Sequence, residues 1–151
     1  MKKLLFALCA LVLLAACTSS KNTTDTAPRW WAPYNNGGGV SFVSTDQANG
    51  GGLFVRFTSD GVHCAVCLTD HVALADPVAV CVSYYDGENK INNVQYIGRA
   101  FCGFVQLDKA AASSVAYFLA HGVRRSVAVD VPSAQIKIVA PANPQLRQYV
   151  K

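Results

Sequence analysis

The sequence predicts an α+β domain, a mostly antiparallel sheet with one helix packed across it. Three observations carry this expectation. From Val40 to Leu107, short apolar segments alternate with turns rich in glycine, asparagine and aspartate, the pattern of consecutive strands. From Ala110 to His121 the apolar spacing becomes that of a helix. Beyond it, Ser126–Val131 and Gln135–Val139 return to strand-like alternation.

Taken in order, Val40–Ser44 is a short strand, and Asp46–Gly52 reads as a loop around Asn49-Gly50. Leu53–Thr58 follows, with Leu53, Val55 and Phe57 on one face and Arg56 on the other. Ser59-Asp60-Gly61 turns the chain into Val62–Leu68, where Val62, Cys64, Val66 and Leu68 share the apolar face. The Asp76-Pro77 loop leads to Val78–Tyr85, with Val78, Val80, Val82 and Tyr84 together. Val94–Leu107 holds one long strand or two short ones, interrupted near Gly98 and Gly103. Asp108 is a good N-cap for the helix, whose stripe is Ala111, Val115, Phe118, Leu119 and Gly122. Gly122 suits a left-handed C′ position. The glycine runs Gly37–Gly39 and Gly50–Gly52 open no helix and precede no Lys-Ser or Lys-Thr, so they read as flexible loops rather than phosphate cradles.

The N-terminus has a different character. Lys2-Lys3 precede an apolar run from Leu4 to Leu14, too short to span a bilayer, which needs about 20 apolar residues. Small residues and a cysteine follow. Leu14-Ala15-Ala16-Cys17 resembles the lipobox of bacterial lipoproteins. The resemblance covers the first 17 residues. It implies that a signal peptide, residues 1–16, is removed. Cys17 would then carry a thioether-linked diacylglycerol and an acyl chain such as palmitate. Thr18, where Asp would mean inner-membrane retention, leans toward the outer membrane of a Gram-negative envelope, facing the periplasm. Residues 17–28 then form the lipidated cysteine and a polar tether, 29–140 a single domain, and 141–151 a C-terminal tail marked by Pro141 and Pro144.

Losing Lys2 and Lys3 leaves eleven basic against nine acidic residues, so the net charge of +4 falls to +2. That charge is no footprint of a nucleic-acid binder. Four cysteines remain in the mature chain, Cys64, Cys67, Cys81 and Cys102. In an oxidising compartment they predict two stapling disulfides. If a hairpin joined the third and fourth strands, Cys67 could meet Cys81, leaving Cys64 for Cys102; four cysteines allow three pairings.

Cys64-Ala65-Val66-Cys67 has the spacing of a thiol-disulfide oxidoreductase, and a periplasmic enzyme of that kind is the alternative function. The flanking residues, however, alternate as a strand rather than opening a helix, and positions i and i+3 of a strand face opposite ways. A metal set of Cys64, Cys67, His71 and Cys81 lacks a second closing pair, and Leu68 stands where haem attachment needs histidine. His63, His71 and His121 are accompanied by no recognisable nucleophile, and Arg124-Arg125 reads as a solvated pair at a helix end. No catalytic residue, metal or cofactor is expected. Trp30, Trp31 and Tyr34, just beyond the tether, are the candidate binding residues, because such aromatics concentrate at binding hot spots. The expected protein is therefore a non-catalytic envelope lipoprotein, held to a membrane through lipid on Cys17 and assembling with an envelope partner.

Overall fold

The computed structural model describes residues 27–68, 73–85, 88, 90–122 and 125–151. Cys17, most of the tether, His71 and Arg124 lie outside the described residues. The α+β architecture is present. Its strands are β1 (Arg29–Trp30), β2 (Tyr34–Asn36), β3 (Gly39–Asp46), β4 (Gly51–Thr58), β5 (Gly61–Leu68), β6 (Val78–Tyr85), β7 (Ile91–Phe101), β8 (Phe104–Leu107), β9 (Ser126–Val131) and β10 (Ile136–Pro141), with one helix, α1 (Lys109–His121), between β8 and β9. All described pairings are antiparallel. The sheet runs β1-β3-β4-β5-β8-β7-β6-β9-β10, and β2 shares the β1 edge of β3.

Alternation along each strand sorts the side chains. Phe42, Leu53, Val55, Val66, Val80 and Val105 are inward and buried; Ile138 joins them from β10. Each such side chain contributes about 1.5–3 kcal/mol by leaving water. The opposite face carries Arg56, His63, Cys67 and Gln106 in register across β4, β5 and β8.

The sheet curls until its last strand packs over its first ones, and three contacts seal the seam. The Trp30 indole donates to the Pro141 carbonyl at 2.6 Å. The Asp46 carboxylate, fully buried at the end of β3, accepts from the Val139 amide. Gly51 leaves room for β10: a Cβ there would press on the Cys67 carbonyl oxygen and lie 2.5 Å from Ile138 Cδ1. The run Gly50–Gly52 is therefore not the flexible loop expected. Gly50 ends a 3-10 turn, Gln47–Asn49, while Gly51 and Gly52 are buried members of β4. The other run is structured as well, since Gly37 and Gly38, with φ of 52° and 80°, make the tight turn between β2 and β3.

α1 forms where alanine-rich sequence follows a cap, and the Asp108 carboxylate accepts from the Ala111 amide at 2.7 Å. Ala111, Ala112, Val115, Ala116, Leu119 and Ala120 are buried. Four of these six are alanine, so the helix lies close against β5. Gly122 does not take the left-handed conformation expected of it, having φ −66° and ψ 97°. Space explains this glycine, because a Cβ would meet the Phe118 carbonyl oxygen at 2.9 Å.

The segment 141–151, expected as a tail, is part of the fold. Its 3-10 turn Pro144–Gln148 buries Leu146 completely. Asn143 N donates to the Leu119 carbonyl and Arg147 Nε to the Ala120 carbonyl, both at 2.9 Å. These are carbonyls that the end of α1 leaves without helical partners, so the C-terminal segment caps the helix.

The expected β5–β6 hairpin is also corrected. β8 and β7 lie between those strands, because the Phe101–Phe104 hairpin folds back onto β5. Cys67 and Cys81 are then three strand spacings apart, roughly 14 Å. Cys67 faces Phe104, which leaves Cys64 about five residues from the level of Cys102, roughly 16 Å along the ladder. Neither expected pairing is possible at these separations, and no disulfide joins the four cysteines.

Candidate functional site

The aromatic trio expected to bind a partner does not form one patch. Trp30 faces inward, packs against the core and closes the seam. Trp31 lies on the other face, where its indole donates to Thr45 Oγ1 at 3.2 Å and the Arg29 guanidinium sits 4.9 Å from its ring. Tyr34 is opposite Ser41 in β2 and half-buried.

The cysteines are dispersed. Cys64 points into the core, and burial pushes its thiol up to about 12, far from the thiolate that reacts or binds metal. Cys67 is on the opposite face of β5. Cys81 lies on β6 opposite Gln95 and Asp130, and Cys102 is exposed in the β7–β8 turn with φ 46°. Among the described residues, no group of three or more His, Cys, Asp or Glu side chains is placed to hold a metal ion.

The β4–β5 turn gathers a hydroxyl, an imidazole and a carboxylate. Thr58 Oγ1 donates to Asp60, while His63 Nε2 is 3.2 Å from Thr58 Oγ1 and 3.4 Å from Asp60 Oδ1. The Thr58 hydrogen bond, then that of His63, holds the Asp60 carboxyl at about 2. A proton relay needs the base between hydroxyl and carboxylate, using its two nitrogens. Here one nitrogen faces both, and the threonine proton is directed at the carboxylate. The cluster, with Lys109 Nζ donating to the Asp60 carbonyl at 3.0 Å, ties the turn to the start of α1.

Beside this turn opens a groove of about 1180 Å³. Its walls come from the β2–β3 turn, the β4–β5 turn, one side of α1 and the last residues of the chain. Arg56 fixes the first wall, with Nη2 donating to the Asn36 carbonyl at 2.6 Å and to that of Gly37 at 3.2 Å. Tyr149 stacks on Phe57 at 5.1 Å, and Phe42 meets both edge-on from the core. Phe118 stacks on Tyr84. Tyr117, half in solvent, stands at the rim with one face against His121 at 4.2 Å. Asn35, Asn36, Ser113, Ser114 and Gln148 add uncharged polar groups.

The sequence reading named Phe57 and Phe118 as apolar-face residues and Gly37–Gly39 as a flexible loop, and joined none of the lining into a binding site. The available signal was Tyr117, an aromatic lying off the buried stripe of α1. Tyr149 gave none, because its segment read as a tail.

The fold and groove define a small α+β domain with a cleft beside α1. No protein-family model, curated protein or solved structure matches the chain.

Proposed function

We propose that the chain is an envelope lipoprotein, anchored by lipid on Cys17, whose domain binds a partner without catalysing a reaction. The observation that carries the anchor is the order of basic start, apolar run, small pair and cysteine in residues 1–17. The first strand begins at Arg29, so Thr18–Pro28 would separate lipid from domain. Thr18 favours the outer membrane, with the domain in the periplasm. The cleft beside α1 supports a binding role. The inward, buried Cys64 and outward Cys67 count against the thiol-disulfide enzyme, whose two sulfurs must reach each other. Among the described residues no helix is long and apolar enough to cross a membrane.

Radiolabelled palmitate and membrane fractionation of the wild type and Cys17→Ser test the anchor. The expected result is label and membrane association in the wild type and loss of both in the variant. Unchanged fractionation without label in either would overturn it.

A further inference from the structure

We infer that the groove beside α1 is a binding site for an uncharged oligosaccharide. The inference rests on the reading of this domain as a binding module, but not on its lipid anchor.

The lining narrows the ligand class. Side-chain amides and hydroxyls at Asn35, Asn36, Ser113 and Gln148 both donate and accept hydrogen bonds, while Ser114, whose hydroxyl donates to the Ala110 carbonyl at 3.0 Å, offers an acceptor. Sugar hydroxyls have the same dual character, so each of those four groups finds a partner in either sense. Tyr117 and Tyr149, with partly buried Phe118, supply aromatic surface among them, and buried Phe57 backs Tyr149. Pyranose rings present flat C–H faces that rest on aromatic rings, while their hydroxyls point outward to the amides. A site that alternates aromatic surface with neutral hydrogen-bonding groups matches that amphipathic pattern.

Charge excludes the nearest competitors. Lys151, at the chain end, is the charged side chain among the lining residues. Phosphorylated or sulfated ligands are held by convergent arginines and lysines, which the walls do not offer. The arginine nearest the β2–β3 turn, Arg56, has Nη2 committed to the Asn36 and Gly37 carbonyls.

Size and shape select an oligomer. Sites for single small molecules span roughly 300–1,000 Å³ and enclose their ligand. This groove, at about 1180 Å³, is larger and open to solvent, so it has room for several sugar rings. Tyr117 holds the most exposed aromatic ring of the lining and is braced by His121, which limits the ordering required on binding.

The test uses the full chain in detergent and the Cys17→Ser full chain, titrated calorimetrically. The probes are a panel of neutral oligosaccharides of roughly three to six units, containing glucose, mannose and N-acetylhexosamine, with sulfated counterparts. At least one neutral probe is expected to bind both proteins. Its affinity should change less than about twofold between low and high salt, and Tyr117→Ala should weaken it about tenfold or more with the melting temperature kept. Gln148→Ala, at an exposed position, gives a second reading if Tyr117→Ala fails to fold. Absence of binding across the neutral panel would overturn the inference. So would binding confined to sulfated probes, or affinity indifferent to both substitutions. Failure of palmitate labelling would leave this result standing, because both proteins carry the groove.

Discussion

Asp46 and Val139 are 93 positions apart in the chain, and the Asp46 Oδ2 to Val139 N distance is 2.7 Å. The same carboxylate accepts from the Asn49 amide at 3.3 Å and from Asn49 Nδ2 at 2.8 Å. One acidic side chain therefore caps a 3-10 turn and receives an edge amide of β10. Asp46→Ala is expected to cost about 1–3 kcal/mol, since it removes a buried charged acceptor from three partly buried donors. Chemical denaturation measures the loss. A change below about 0.5 kcal/mol would mean that β10 does not depend on this carboxylate.

The two tryptophans should behave differently. Trp30→Ala removes packing and the indole bond across the seam, and about 3 kcal/mol is the expected loss. Trp31→Ala removes a ring at 36 % exposure and should cost about 1 kcal/mol or less. Melting temperatures of the two variants check this. Equal losses would contradict their placement on opposite faces.

Gly51→Ala should destabilise by about 1–3 kcal/mol through overpacking at the seam. Combining it with Ile138→Val is expected to recover only part of the loss, because the Cys67 carbonyl still opposes the new Cβ. Full recovery in the double variant would place the whole conflict at Ile138.

Cys64 links stability to alkaline pH. In the fold its thiol keeps its proton up to about 12, against an ordinary value of 9.0. Below 9 both folded and unfolded chains carry the proton, and the contribution from the buried thiol is intact. Between about 9 and 12 only the unfolded chain ionises, so stability falls as pH rises. Urea midpoints across that window should drop more steeply for wild type than for Cys64→Ala. Parallel slopes would remove Cys64 as the cause. In the same protein at neutral pH, iodoacetamide should label exposed Cys102 while Cys64 reacts only after denaturation.

Much of the fold was legible because local alternation is set locally. Val62, Cys64, Val66 and Leu68 do share one face, and Asp108 does cap α1. Strand order was not legible, since nothing within β5 or β6 announces that the β7–β8 hairpin will enter between them. β1 and β2 were missed because two- and three-residue strands carry no period. Gly51 and Gly52 were misread for a related reason. A glycine required by a close neighbour, Ile138 of β10 for Gly51 and the Ser44 carbonyl of β3 for Gly52, looks in sequence like a glycine required by a turn. The groove was harder still, as its walls come from four separate segments, each of which alone resembles a turn, a helix face or a chain end.

The edge position of β1 has a mechanical side. Any tension transmitted through the residues before Arg29 reaches a strand of two residues first. Pulling there peels the Arg29–Thr45 and Trp30–Ser44 pairs in succession, instead of shearing a long ladder all at once. The Trp30 indole and the Pro141 carbonyl part next, and with them the clasp between the two ends of the rolled sheet. The eight-residue β3–β4 and β4–β5 pairings stand behind that point. A pull along the N-terminus would thus meet a weak first yield and then a stiff body, much as a seam gives before the cloth does.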